Sequence, residues 1–148
     1  KGTDVKVFNA AGLSFSSPIC FEDTFGYISR RFVNAGARAI VNLTNDAWSA
    51  SGPSQWQHMS MAVFRAVENR VPLVRSTASG QTCMVDPNGR VVAMAPAFEE
   101  TYLVCRVPVL SELPKTFYRI WGDLWGILFA AVSAITLATG MLTRLRNI

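Results

Sequence analysis

The sequence predicts a layered α/β domain followed by one membrane helix. Short runs with strand character alternate with helical patterns through most of the chain. Residues 124–143 contain no charged side chain, and about 20 helical residues span the ~30 Å hydrocarbon layer of a membrane. We therefore expect a soluble domain over residues 1–114, and an interfacial linker with a transmembrane helix over residues 115–148.

The composition excludes several classes of protein. Hydrophobic residues make up 50% of the 148 positions, charged residues make up 16%, and the mean hydropathy is +0.24, which excludes a disordered chain. The net charge is +4, but the basic residues form no patch interleaved with aromatics, so no nucleic-acid partner is predicted. Three cysteines and one histidine favour neither a disulfide framework nor a metal site, and no cofactor is predicted.

The first elements are a hairpin and a helix. Strands are predicted over residues 5–8 and 13–20, because the intervening Asn-Ala-Ala-Gly suits a turn. Residues 25–35 carry apolar side chains at helical spacing, and Gly36 is well placed to end that helix.

A buried strand and a second helix come next. Residues 39–43 form a short apolar run of buried-strand type, and residues 45–53 are typical of a loop. Ser54 is the predicted cap of a helix that extends to Asn69. We expect the core face of this helix to carry the apolar residues at helical spacing, Trp56, Met59, Val63 and Val67.

The remainder of the domain is predicted to be β-structure. A strand is expected over residues 73–76, and a hairpin joins residues 82–85 to 91–95 across the turn sequence Asp-Pro-Asn-Gly. Residues 101–107 are predicted as a further strand, and residues 111–115 as the linker to the membrane.

Cys20 is the sharpest chemical feature. It lies at the end of a predicted strand, just before the loop into a helix, which is a common position for a nucleophile. A buried structural cysteine is the commoner explanation of a lone cysteine in a strand. Glu22 would point to the same side, where it either orients a partner base, holds the loop, or serves as an ordinary capping carboxylate.

A second polar segment, Asn42–Trp48, also lies at a strand end. Sites in open α/β sheets gather beyond the carboxyl ends of strands, so the two segments together indicate a site. The alternative is a turn in which Asn45 and Asp46 bond their own backbone. His58 is interpreted as a satisfied helix-face histidine rather than a general base.

Several other polar and small residues have structural interpretations. Arg65, Glu68 and Arg70 are predicted to form a local ion-pair set near the end of the second helix. Cys83 and Cys105 are interpreted as small core residues within strands, and Gly80 and Gly89 as turn positions.

Five motifs in order carry a family resemblance. They are Pro-Ile-Cys-Phe-Glu at 18–22, Asn-Leu-Thr-Asn-Asp-Ala-Trp at 42–48, Gly52-Pro53 with Gln57-His58, the arginine- and glutamate-containing segment 65–75, and Asp-Pro-Asn-Gly-Arg at 86–90. This ordered set, together with the final helix, resembles the apolipoprotein N-acyltransferases, which are membrane members of the nitrilase superfamily. The resemblance implies the second half of a nitrilase-like α-β-β-α sandwich followed by one C-terminal transmembrane helix.

The resemblance also implies a chemistry. Cys20 would be the nucleophile of a Glu-Lys-Cys triad, forming a thioester with an acyl chain from a phospholipid and passing it to the N-terminal diacylglyceryl-cysteine of an apolipoprotein. Glu22 matches a carboxylate that the family places beside the nucleophile. Phe21, where the family often has Tyr, is expected to bind substrate or shape the loop, as are Asn45 and Trp48.

The sequence departs from the family pattern in ways that matter for activity. The family's catalytic Glu and Lys lie well upstream of the Cys motif, and Lys1 and Lys6 are too close to Cys20 to replace that lysine. Ser49 and Ala50 stand where Phe-Gly is common. We therefore expect an incomplete piece that is inactive alone. The alternatives are a nitrilase-type amidase acting on small C–N bonds and an inert membrane-tethered domain.

The C-terminal segment carries the marks of a membrane interface. An aromatic belt lies where the apolar run begins and consists of Phe117, Tyr118, Trp121 and Trp125. Asp123 at the bilayer centre would cost roughly 2.5–3.5 kcal/mol, so the span is expected to begin after it. Cationic side chains flank both ends almost equally. The resemblance decides the orientation, implying the bacterial inner membrane with the catalytic domain in the periplasm and a cytoplasmic C-terminus.

Overall fold

The structure is a computed structural model that describes residues 4–146, and the side chains of residues 4–144. Lys1 and the side chain of Arg146 lie outside this description. Six strands form one sheet: β1 (Phe8–Ala10), β2 (Leu13–Ser16), β3 (Ala39–Asn45), β4 (Leu73–Ala78), β5 (Cys83–Val85) and β6 (Val91–Met94). The order in the sheet follows the chain. The central pairs β2–β3 and β3–β4 are parallel, and the outer pairs are antiparallel.

Helices cover one face of this sheet. They are α1 (Gly26–Asn34) and α2 (Gly52–Asn69), and short 3-10 turns lie at Cys20–Thr24 (the Cys20 turn) and Ala47–Ser49 (the Trp48 turn). The core between helices and sheet is built from Val33, Ile40, Met59, Ala62, Ala66, Val71, Leu73, Cys83 and Val85. The predicted α/β class is confirmed, and so is the core position of Cys83.

The second helix starts earlier than predicted, and its buried face matches the prediction only in part. It begins at Gly52 after Ser51, two residues before the predicted cap, because Pro53 is suited to a first helical turn. Trp56 and Val67 are 49% and 37% exposed. Met59 lies in the core and Val63 packs against it, as predicted, and the small side chains of Ala62 and Ala66 complete the buried face.

The predictions of the hairpin and of the strand after it compare differently with the structure. The hairpin is confirmed, with Gly89 at φ +83° in the turn between β5 and β6. The strand predicted over residues 101–107 is wrong, because this segment is irregular in the structure. Its side chains alternate between exposed and half-buried, as in a strand, but no described strand edge pairs with it.

The chain ends in α3 (Phe117–Trp121) and α4 (Leu124–Arg146). The segment Leu124–Arg144 is long and apolar enough to cross a membrane. Its apolar stretch is not buried against the domain. The α3 helix is fastened to the domain, since Arg30 Nε donates to the carbonyl of Arg119 over 2.9 Å and Thr116 donates to the carbonyl of Glu68. The predicted apolar C-terminal helix is confirmed.

The face of the sheet opposite the helices is bare in part, around Phe8 and Leu43, whereas Ala39 and Met84 on the same face are buried. Phe8 of β1 is 48% exposed and Leu43 of β3 is 47% exposed, although both strands lie in the sheet. Large apolar side chains in a sheet normally pack against a second layer. This face therefore has room for one.

Candidate active site

The Cys20 turn is held under backbone strain. Its first residue has φ +50°, a left-handed conformation that is costly for a residue with a side chain. The turn is braced from β3, because Asn42 Nδ2 donates to the carbonyls of Cys20 and Pro18 over 3.0 and 3.2 Å. Cys20 itself is partly exposed, whereas Cys83 is buried. The alternative that Cys20 is merely a buried core cysteine is therefore wrong.

Glu22 holds the same turn closed. Its Oε2 accepts a hydrogen bond from the backbone N–H of Ile19 over 2.8 Å, as a capping carboxylate does. The side chain is otherwise exposed and lines a cleft of about 410 Å³ with Tyr27 and Arg31. This contact is the loop-holding role, and a catalytic role for Glu22 stays a prediction.

Asp23, which is not among the predicted site residues, is the buried member of the turn. It is fully buried, and its carboxylate accepts hydrogen bonds from His58 Nε2 over 2.9 Å and from Arg75 Nε over 3.0 Å. One signal in the sequence pointed to it. Arg75 lies inside the apolar pattern of β4, and a cation buried there needs a carboxylate partner.

Asp46 lies on the other side of the imidazole. Its Oδ1 is 2.9 Å from His58 Nδ1, and its Oδ2 is 3.7 Å from Arg75 Nη2. The predicted backbone turn is confirmed for Asn45, whose Oδ1 accepts from the N–H of Ala47 over 3.0 Å. It is wrong for the Asp46 side chain, which turns inward to the histidine.

Gly80 makes room for this carboxylate. A Cβ atom at Gly80 would lie 2.6 Å from Asp46 Oδ2, well inside van der Waals contact. The prediction that Gly80 serves a turn conformation is therefore incomplete. Its missing side chain permits the close approach of Asp46.

The two carboxylates determine what His58 can do. The hydrogen bond to Asp23 is the main influence that raises the pKa of His58 above 6.5, and burial partly opposes it. Both ring nitrogens lie against carboxylate oxygens, so neither is free to take a proton from a thiol. His58 is a satisfied histidine, as predicted, and the general-base alternative is wrong.

The predicted ion-pair set at the end of α2 is confirmed only in part. Arg65 Nη2 lies 2.7 Å from Glu68 Oε1. The same guanidinium donates to the carbonyl of Thr24, the last residue of the Cys20 turn. Arg70 donates to Asn88 on the hairpin instead. Burial raises the pKa of Glu68, although the nearby Arg65 opposes this shift.

Aromatic side chains wall a small cleft beside the turn. The ring of Phe21 lies 5.0 Å from the ring of His58, and Phe21 and Trp48 line a cleft of about 190 Å³. Met61 and Gln57 contribute to the same cleft. The structure thus brings together Phe21 and Trp48, whereas Glu22 faces a different cleft and Asn45 acts on its own backbone.

Comparison with known proteins identifies the architecture. Residues 1–112 match the family model of the carbon-nitrogen hydrolases. The chain belongs to the carbon-nitrogen hydrolase family. Its fold is similar to that of a Helicobacter pylori carbon-nitrogen hydrolase (TM-score 0.59, 14% identity), covering 68% of this chain and 42% of that one. It is also similar to a branch 10 member of the nitrilase superfamily from Saccharomyces cerevisiae (TM-score 0.55, 25% identity), covering 67% of this chain and 39% of that one. The predicted nitrilase-like fold is confirmed.

Within this carbon-nitrogen hydrolase family, the chain is similar to curated apolipoprotein N-acyltransferases. The chain is 50% identical to apolipoprotein N-acyltransferase 1 of Treponema denticola over 93% of its length, and 44% identical to the apolipoprotein N-acyltransferase of Geobacter metallireducens over 81%. It spans 25% and 23% of the lengths of those two relatives. The family resemblance stated from the motifs is confirmed.

Proposed function

We propose that this chain is the part of an apolipoprotein N-acyltransferase that carries the nucleophile. The observation that carries the proposal is the strained, braced turn that holds Cys20 partly exposed in a carbon-nitrogen hydrolase fold. The identity to curated acyltransferases supports this activity within the family. Strained backbone at a reactive residue is typical of active sites, where the surrounding structure holds it.

The reaction we propose has two balanced steps. The Cys20 thiolate attacks the carbonyl carbon of a phospholipid acyl ester, a C–S bond forms, and the C–O bond to the lysophospholipid breaks, its oxygen taking up a proton. The α-amino group of a diacylglyceryl apolipoprotein then attacks the thioester and loses a proton. The C–S bond breaks, the acyl chain moves to nitrogen, and the thiolate is regenerated. A Glu and a Lys from an upstream segment complete the triad.

Glu22 is the second catalytic residue of this proposal, and the remaining site residues have positioning roles. Phe21 and Trp48 offer apolar walls next to the Cys20 turn, suited to the first carbons of an acyl chain. Asn45 fixes the backbone of the Trp48 turn, and Glu22 fixes that of the Cys20 turn. Phe21 supplies its ring without the hydroxyl of a tyrosine.

We propose that residues 1–114 are the second half of an α-β-β-α sandwich. The bare sheet face with Phe8 and Leu43 supports this arrangement, because a second sheet would cover it. The length of the relatives supports it as well, since the chain spans only about a quarter of them. By itself, this half is expected to be inactive.

The last two helices support a membrane arrangement. We propose that α4 crosses the bacterial inner membrane, with the catalytic domain in the periplasm and the C-terminus in the cytoplasm. The stacked rings of Phe117 and Trp125, 5.9 Å apart, would lie at the interface where aromatic side chains concentrate. The contacts of α3 with the domain would hold the site near the lipid surface that supplies the acyl donor.

The proposal is tested by acyl transfer with the full-length protein in detergent. The donor is a phospholipid with a labelled acyl chain, and the acceptor is a diacylglyceryl-cysteine peptide. We expect Cys20→Ala to abolish transfer and Cys105→Ala, the matched control, to leave it unchanged. Transfer by Cys20→Ala would overturn the proposal. Hydrolysis of small amides without transfer would instead favour the nitrilase-type amidase.

A further inference from the structure

The imidazole of His58 sits between two carboxylates in the interior of the domain. Nε2 lies 2.9 Å from Asp23 Oδ1, and Nδ1 lies 2.9 Å from Asp46 Oδ1. The side chains of these three residues are 5%, 0% and 2% exposed. Arg75 from β4 faces both carboxylates and is also buried. The groups that face the imidazole thus come from the Cys20 turn, from the end of β3 and from β4.

The number of protons on the ring follows from this geometry. A neutral imidazole donates from one nitrogen and presents a lone pair on the other. With carboxylate oxygens at both nitrogens, the neutral ring would point that lone pair at a negative charge. The imidazolium donates on both sides and, together with Arg75, balances the charges of Asp23 and Asp46. The buried group of four is then neutral overall, which burial demands.

The two carboxylates belong to the two segments that form the candidate site. Asp23 is part of the turn that begins at Cys20, and Asp46 directly precedes the turn that carries Trp48. His58, on the inner face of α2, lies within hydrogen-bond distance of both, whereas Arg75 is 3.0 Å from Asp23 and 3.7 Å from Asp46. The protonated ring therefore ties the segment of the nucleophile to the segment that walls the cleft.

We propose that His58, as an imidazolium, is a positioning residue that locks the Cys20 turn to the Trp48 turn, and that loss of its proton releases this lock. The inference rests on the proposed function only in taking Cys20 as the reacting thiol. The lock itself is a property of the fold. It acts through Asp23 and Asp46, and His58 does not exchange protons with substrate.

The direction of the pH dependence follows from the network. The pKa of His58 is raised above 6.5 because the hydrogen bond to Asp23 and the nearby carboxylates outweigh burial and Arg75. The contribution to stability is therefore complete below pH 6.5 and is lost as pH rises through the raised pKa. Above that pKa, one carboxylate faces a lone pair, and both turns are expected to loosen.

The test combines two measurements on the protein that carries this sequence, purified in detergent. A ¹³C-histidine NMR titration, with His58→Gln to assign the signal, gives the pKa of His58. Hydrogen–deuterium exchange, corrected for the intrinsic effect of pH, gives the protection of amides in the two turns. We expect a pKa above 6.5 and a loss of protection on the order of tenfold as pH passes it, with the hairpin at Asp86–Gly89 unchanged as an internal control.

The variants separate a charge lock from simple packing. His58→Gln should lack protection at every pH, and Asp46→Asn should lower the pKa of His58 toward its ordinary value. If either variant fails to fold, the unmutated protein still decides. A pKa at or below 6.5, or protection that is flat across the titration, would overturn the proposal. Neither measurement uses a lipid substrate, so absence of acyl transfer would count against the proposed function alone.

Discussion

Asp23 and His58 lie 35 positions apart in the chain, and their Oδ1 and Nε2 atoms are 2.9 Å apart in the buried interior. Asp23 belongs to the turn that begins at Cys20, and His58 lies on the inner face of α2. The contact therefore fastens the strained turn of the nucleophile to a long helix. Arg75 holds the second oxygen of the same carboxylate over 3.0 Å.

Arg75→Gln should destabilise the fold strongly. The substitution removes the buried cation that faces Asp23 and Asp46, and breaking a buried ion pair from one side typically costs about 3–5 kcal/mol. The free energy of unfolding from urea titration checks this. Arg90→Gln, at an exposed arginine of the hairpin, is the matched control and should change it by less than about 0.5 kcal/mol. A loss under about 1 kcal/mol for Arg75→Gln would contradict the assigned role.

Gly80→Ala should displace Asp46. The new Cβ would meet Asp46 Oδ2 at 2.6 Å, and such overpacking costs about 1–3 kcal/mol. The expected result is a lower free energy of unfolding together with a fall in the pKa of His58, read by NMR. Gly52→Ala, where no atom lies within 4 Å of the new Cβ, is the control. Equal stability of the two variants would show that Gly80 makes no close approach to Asp46.

The cysteines should differ in their reaction with iodoacetamide. Burial raises the pKa of Cys83 to about 11 from 9.0, which lowers its thiolate fraction roughly a hundredfold. Cys20 and Cys105 are partly exposed. Peptide mass spectrometry at pH 8 should therefore find Cys20 and Cys105 modified and Cys83 intact. Modification of Cys83 at the rate of Cys105 would mean that the core around β5 is open.

Leu43→Asp should affect the full-length protein and this chain differently. If a second sheet covers the bare face, the substitution buries a charge in the longer protein and should cost it more than about 2 kcal/mol. In this chain Leu43 is 47% exposed, so the cost should stay within about 0.5 kcal/mol. Phe64→Asp on the outer face of α2, where Phe64 is 59% exposed, should cost little in both. Equal losses in both proteins for Leu43→Asp would argue against the sandwich.

Local signals explain which elements the sequence could predict. The hairpin around Gly89 and the strand β3 follow from turn residues and apolar runs within a few positions, and both are confirmed. The prediction of a strand over residues 101–107 is wrong because alternating side-chain exposure does not by itself supply a neighbouring strand to pair with. The buried face of α2 is predicted only in part, because Met59 and Val63 pack in the core as expected, whereas Trp56 and Val67 are exposed and the small Ala62 and Ala66 are buried.

The residues of the candidate site likewise differ in whether local sequence signals predict them. Cys20 was found because a cysteine at the end of a predicted strand is a local pattern, although the predicted end is wrong, since β2 ends at Ser16 and Cys20 begins a 3-10 turn. The buried group around His58 was missed, since its contacts to Asp46, Asp23 and Arg75 bridge segments that only the fold brings together. Arg75 and Asp23, for example, are 52 positions apart. Only a charged residue inside an apolar strand hinted that such partners exist.

The role of Cys20 as the nucleophile is tested most directly by the mass of the Cys20 peptide. The full-length protein is first incubated with a phospholipid in the absence of an acceptor. We predict an acyl group in thioester linkage on Cys20, released by hydroxylamine at neutral pH and absent from Cys20→Ser. Two results would contradict the role of Cys20 as the nucleophile. One is an acyl group that persists on another residue in Cys20→Ser, and the other is a Cys20 peptide that stays unmodified while transfer proceeds.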